Sequence, residues 1–220
     1  MEPDTRKLAG LEQRQGTVVI RLDDGEVLEV APDAVPSDMP QVGGSLGFPL
    51  LASLREAAAR KKAAQRLFVL LDRKLMTRTR LRGKLLDAGH AEHAVDAVLD
   101  QGEAAGLFSD RAFAEAFCRD TLRGKAVGGF WLVSKLREKG VGADLAREVV
   151  RDSLTPEMEH DLALQAARRR WRRESAGDQR ALARVQRFLA SRGFAASICR
   201  AAAEATRPDA PCNSGPEDRS

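Results

Sequence analysis

Few residues in this 220-residue chain have the types and spacing that chemistry needs. His90 and His93 have the spacing of a two-histidine metal grip. No cysteine or third histidine lies near them in sequence, so they read as surface residues beside a helix start. Cys118, Cys199 and Cys212 fall in no metal-like or disulfide-like spacing, and Cys118 and Cys199 sit on apolar stripes, where a thiol acts as a small hydrophobe. Arg82-Gly83-Lys84 and Arg123-Gly124-Lys125 carry the glycine and lysine of a phosphate loop. They lack its earlier glycine and its following Ser or Thr, and both lie in helical context. Asp23 and Asp24 belong to a turn, and no isolated buried acid stands ready for proton transfer. The expectation is a protein that is not an enzyme and needs no metal or cofactor.

The basic residues form a more coherent set. Arg73, Lys74, Arg78, Arg80, Arg82 and Lys84 crowd one loop and the helix after it. Arg168, Arg169, Arg170, Arg172 and Arg173 surround Trp171, five arginines in six positions. The acids near that run are Glu174 and Asp178, too few to neutralise it. Phosphate or a carboxylate-rich protein surface would satisfy such a cluster, and a solvated helix face is the plainer reading. The net charge of +4 conceals this patterning: residues 51–90 carry 11 basic and 3 acidic side chains, whereas residues 1–50 carry 4 and 9. Basic blocks separated by acidic ones attract a polyanion locally.

The elements that position these residues are mostly helices, because Ala, Leu, Arg and Glu dominate and β-branched runs are scarce. The exception is residues 16–31. There Thr17 to Leu22 and Glu26 to Val30 flank Asp24-Gly25, a dipeptide suited to the positive φ of a hairpin turn. A lone hairpin is marginal in water and needs something to pack on. The charged N-terminus, Met1 to Arg6, has no apolar signal segment, and the longest apolar runs are too short to span a bilayer. With unpaired cysteines this suits a reducing cytosol, so a cytoplasmic protein is expected.

Between residues 50 and 207 a pattern recurs three times. Leu85, Leu136 and Leu189 each stand four positions before a glycine, and Gly89, Gly140 and Gly193 follow one another at intervals of 51 and 53 residues. Apolar residues recur at fixed offsets, including Leu81, Leu132 and Val185 before the glycines and Val98, Val149 and Ala202 after them. A glycine there predicts a left-handed helix stop, in which Val141 meets Leu136 and Phe194 meets Leu189. Each unit also has a leading helix. Its stripe is Ala63, Ala64, Leu67, Leu70 and Leu71 in the first unit, Ala112, Phe113, Ala116 and Phe117 in the second, and Leu164, Ala167 and Trp171 in the third. The last begins at Thr155-Pro156, a cap followed by proline.

The expected fold is therefore all-α: tandem three-helix repeats, about nine helices, stacked into an elongated curved array, with a small N-terminal β-hairpin. The expected divisions are a hairpin and linker at 1–50, repeats at 51–106, 107–154 and 155–206, and a disordered tail at 207–220.

Three motifs resemble those of one family. Arg73-Lys74-Leu75-Met76-Thr77 with Leu81, Lys84-Leu85 and Gly89 is similar to its first-repeat signature. Leu107-Phe108-Ser109-Asp110-Arg111-Ala112-Phe113-Ala114 with Phe117 resembles the opening of its second repeat. Lys135-Leu136-Arg137-Glu138-Lys139-Gly140-Val141 resembles a further motif of that repeat. The family is RecX, the bacterial recombination regulators, and the resemblance spans about residues 55–205. It implies a protein that lies along the groove of the RecA recombinase filament and blocks ATP hydrolysis, strand exchange or filament growth. It also implies some affinity for single- or double-stranded DNA. One departure is Gly128-Gly129-Phe130-Trp131-Leu132-Val133, where the family has a basic run; Phe130 and Trp131 read here as core residues or as an apolar anchor.

The residues expected to meet the partner are Arg73, Lys74, Arg78, Arg80, Arg82, Lys84, Lys135, Arg137, Lys139, Arg168, Arg169, Arg170, Arg172 and Arg173, carried by a monomer without membrane contact. The rival readings are a DNA-binding helical module acting alone and a scaffold for another protein.

Overall fold

The computed structural model describes residues 5–174 and 178–208, and the chain divides into two compact units, Met1–Ser109 and Asp110–Ser220. Cys212 and nearly all of the expected tail lie outside the described residues.

The first unit opens with a sheet larger than the hairpin expected. Strands β1 (Arg6–Arg14), β2 (Thr17–Leu22), β3 (Val27–Val30) and β4 (Ser45–Leu46) form an antiparallel sheet in the order β3-β2-β1-β4. The Asp24-Gly25 turn is present: Gly25 has φ 86°, and the Asp24 carboxylate accepts from the Glu26 backbone N–H at 2.9 Å. A second tight turn at Gln15-Gly16, with Gly16 at φ 70°, folds β1 back onto β2. Pairing across three edges answers the weakness of an isolated hairpin.

Helix α1 (Phe48–Leu71) starts after Gly47 with proline in its first turn, where the missing N–H costs nothing. Its 24 residues span about 36 Å at 1.5 Å per residue and serve two cores. Leu51, Leu54 and Ala58 pack with Leu8, Ile20, Val30 and Leu46 of the sheet, while Ala63, Leu67 and Leu70 pack with Leu81, Leu85, Val95 and Leu99. Arg55 pairs with Glu26 at 2.7 Å, and Lys61 donates to the Thr17 hydroxyl and to the Val30 carbonyl, pinning the helix to the sheet. Helices α2 (Arg78–Asp87) and α3 (Glu92–Ala104) complete the first triplet.

The second unit contains α4 (Asp110–Gly124), α5 (Gly129–Glu138) and α6 (Ala143–Ser153), then α7 (Pro156–Trp171), α8 (Gln179–Ser191) and α9 (Ala196–Ala205). Nine helices thus stand among the described residues. The glycine stops have the expected conformation: Gly89, Gly140 and Gly193 have φ 83°, 91° and 78°. The residue after each donates back to the helix, His90 to the Leu85 carbonyl at 3.2 Å, Val141 to Leu136 at 3.1 Å and Phe194 to Leu189 at 3.3 Å. Thr155 caps α7 by accepting from the Met158 N–H at 3.3 Å.

Two details differ from expectation. The buried line of α4 runs through Ala114 and Cys118, not through Ala112, Phe113, Ala116 and Phe117. Small side chains face the core there, while Phe113 and Phe117 flank the line half-buried and stack with centroids 6.5 Å apart. Phe130 is not a core residue either, being 71% exposed, although Trp131 is half-buried against the core of the second triplet.

Gly128 and Gly129 have a structural purpose. The Gly128 N–H donates to the Arg192 carbonyl at 2.9 Å, and the Phe130 N–H to that of Gly193 at 3.1 Å. The start of α5 therefore lies directly on the end of α8, backbone against backbone. A Cβ on Gly128 would fall 2.3 Å from the Gly193 oxygen, and one on Gly193 would fall 2.2 Å from the Trp131 nitrogen. The Gly129 N–H donates to the Glu159 carboxylate at 2.8 Å, placing negative charge at the positive end of α5.

Candidate interaction surface

The expected partner-binding residues fall into three groups, and the helices treat them differently. In the first triplet, the turn after α1 presents Arg73 and Lys74 to solvent, and α2 presents Arg80 and Lys84. Arg78 and Arg82 turn inward instead. Arg78 meets Asp100 at 2.6 Å and Glu103 at 2.8 Å; Arg82 meets Asp96 at 2.7 Å and also Glu92, all four acids lying on α3. The hydrogen bonds it donates to Asp96 and Glu92 hold the Arg82 guanidinium above its ordinary pKa, and Arg82 in turn holds the Asp96 carboxyl below its own. These two arginines brace α2 against α3, and the outward charge comes from their neighbours. The alternation follows from helical spacing, since positions 78 and 82 share a face that positions 80 and 84 do not.

In the second triplet, Lys135 pairs with Glu138 at 2.7 Å and lies 5.9 Å from the centre of the Trp131 ring. Lys125, weighed in the sequence only as a phosphate-loop lysine and not among the partner-binding residues, lies 5.6 Å from the same ring, so one indole faces two cations. Lys139 lies 5.1 Å from the ring of Phe117. Arg137 is exposed on the same helix as the protruding Phe130.

The third group has the densest charge. Trp171 is buried at the end of α7, with its indole N–H donating to the Ala203 carbonyl at 3.1 Å. Anchored in this way, α7 and the turn after it hold Arg168, Arg169, Arg172 and Arg173 outward, and among the described residues none of the four makes an ion pair. Arg170 is paired instead. It pairs at 2.6 Å with Glu174, whose side chain is 5% exposed and which also meets Arg184 of α8 at 2.6 Å. The hydrogen bond from Arg184, with the charge of Arg170, holds the Glu174 carboxyl below its ordinary value. Arg184 and Arg192 were missed in the sequence because they are scattered along α8 at helical spacing and form no visible run. Cys118 and Cys199 are buried, and burial pushes both thiols above the ordinary thiol pKa. No helix among the described residues is long and apolar enough to cross a membrane.

Helix triplets whose second helix ends at a glycine stop define a helical-repeat protein. Residues 109–150 match the model of the second three-helix domain of RecX, and residues 157–202 that of the third. The chain is 35% identical over 133 residues to the regulatory protein RecX of Mycobacterium leprae, covering 59% of this chain and 77% of that one. It is 36% identical over 143 residues to that of Chromohalobacter salexigens, covering 64% and 88%. This chain belongs to the RecX family. A crystal structure of a regulatory protein RecX superimposes with a TM-score of 0.71 at 25% identity, covering 88% of this chain and 96% of the other. RecX from Lactobacillus salivarius has the same fold, with a TM-score of 0.63 at 18% identity over 68% and 97%.

Proposed function

We propose that this protein is a non-enzymatic regulator that docks, as a monomer, on the RecA nucleoprotein filament and inhibits its ATPase, strand exchange or growth. Its relatives are regulatory proteins by name, and family membership is what brings RecA into the reading. The observation that carries it is the arginine face of α7: four outward guanidiniums without ion partners among the described residues, on a helix fixed by a buried tryptophan. Such a surface attracts an external polyanion, and a recombinase filament on DNA is one. Arg73, Lys74, Arg80 and Lys84 extend the contact from the first triplet, and Lys135, Arg137 and Lys139 from the second.

The test is RecA-dependent ATP hydrolysis on single-stranded DNA, with and without the protein. Inhibition at stoichiometric levels is expected, and unchanged hydrolysis would reject the reading. Action as a stand-alone DNA-binding module is the second reading, favoured by the density of basic charge. It would be marked by tighter binding to naked DNA than to the filament, with a steep salt dependence.

A further inference from the structure

The third triplet encloses a concave pocket of about 240 Å³ whose charged lining, among the described residues, is entirely arginine: Arg169 and Arg170 from α7, Arg173 from the turn after it and Arg192 from the end of α8, with Phe188 as its apolar wall. Two of the guanidiniums are held in place. The Phe188 ring centre lies 5.7 Å from the guanidinium carbon of Arg170 and 4.8 Å from that of Arg192. Arg192 also donates from Nη1 to the Ala126 carbonyl at 3.2 Å, and Arg170 is tethered to Glu174. The other two, Arg169 and Arg173, are one helical turn apart and exposed. The Nε of Arg170 is buried with no hydrogen-bond partner. Among the described residues Glu174 is the one carboxylate tied to this cluster, and it is shared with Arg184 outside the pocket lining. A concavity of one sign, walled by apolar groups, concentrates its counter-ion.

We propose that this pocket binds phosphate, and that the phosphate is a backbone group of a nucleic-acid strand. Guanidinium forks reaching in from two helices can surround a tetrahedral anion, each fork taking different oxygens. A carboxylate offers its oxygens in one plane only, whereas those of a phosphate are arrayed tetrahedrally and can meet forks arriving from two helices. On the regulator reading, which supplies the setting, the third triplet then grips the nucleic acid of the complex.

The experiment uses the full chain and a fluorescein-labelled oligothymidylate, with no recombinase present, and follows binding by anisotropy over a salt series. Arg169→Ala is expected to weaken binding roughly tenfold and to lower the slope of log Kd against log salt by about one. Arg192→Lys keeps the charge and loses the fork, so it should weaken binding with the slope nearly unchanged. Arg187→Ala on α8 and Arg200→Ala on α9, exposed in the same triplet and outside the pocket lining, should change affinity less than about twofold. Pyrophosphate should compete with the oligonucleotide and raise the Tm of the wild type but not of Arg169→Ala. Pocket variants that bind like the wild type would overturn the proposal. So would Arg187 and Arg200 variants that lose as much affinity, which indicates a diffuse basic surface. Poly-L-glutamate distinguishing wild type from Arg169→Ala, where the oligonucleotide does not, would assign the pocket to an acidic protein surface instead. Because no recombinase is present, failure here is separate from failure of the ATPase test.

Discussion

At the scale of single residues, the partner of each arginine decides its role. Arg78, Arg82 and Arg170 have carboxylates 2.8 Å away or closer and act within the fold, whereas Arg168, Arg169, Arg172 and Arg173 are turned outward. The sequence showed both sets as equivalent charge, because an arginine run does not say which side chain shares a face with an acid on the next helix. The paired acids make stability depend on pH with a definite sign. Asp96 and Glu174 titrate below their ordinary values of 3.8 and 4.5 in the fold. Their contribution is complete above those values and is lost as pH falls through the lower folded ones. The urea midpoint should therefore hold steady down to about pH 5 and fall below it. Glu174→Gln should lower the midpoint at neutral pH and flatten that acid limb, and an unchanged limb would remove Glu174 from the account. The buried thiols give a second check. In a Cys212→Ser variant, Cys118 and Cys199 should resist a thiol reagent at pH 7 in the native state and react fully in denaturant.

At the scale of elements, glycine is the residue that separates local from tertiary cause. Gly83 lies inside α2 with nothing within 4 Å of its missing Cβ, so Gly83→Ala should stabilise the protein by about 0.5–1 kcal/mol. Gly89 also faces open space but has φ 83°, so Gly89→Ala should cost about 1–2 kcal/mol through backbone strain alone. Gly128 has ordinary φ yet touches the Gly193 backbone. Gly128→Ala should therefore cost more than about 2 kcal/mol, because neither helix end can move aside without breaking the two hydrogen bonds between them. Urea denaturation of the three variants ranks them directly. A Gly128→Ala protein as stable as the wild type would mean that the α5–α8 contact is soft. The spacing of Gly89, Gly140 and Gly193 was readable because a helix stop is a local event. Gly128 was read as the loss of a basic run, since nothing nearby in sequence announces a contact 65 residues away.

At the scale of the whole molecule, the outward arginines should control regulation if the reading of the third triplet is right. Reversing Arg169 and Arg172 to Glu should reduce inhibition of RecA-dependent ATPase at least tenfold, with the melting temperature nearly unchanged because both side chains are solvent-facing and unpaired. Equal inhibition by the variant would move the contact to another surface. The helices, their three glycine stops and the buried Leu85, Leu136 and Leu189 were legible in the chain alone, because apolar periodicity and a left-handed cap arise from residues within a few turns of one another. The same holds for the Asp24-Gly25 turn. Tertiary structure alone decided the rest. Strand β1, Arg-Lys-Leu-Ala-Gly-Leu-Glu-Gln-Arg, is rich in helix-formers and becomes a strand because β2 and β4 pair with it. Glu174 becomes a buried acid because α7 and α8 bring Arg170 and Arg184 to it, and Arg192 joins the arginines of α7 only where α8 ends beside them. Local sequence specifies a helix and its stop. Which charges end in pairs and which face outward depends on how the helices of each triplet pack against one another, which the run of charges along the chain does not state.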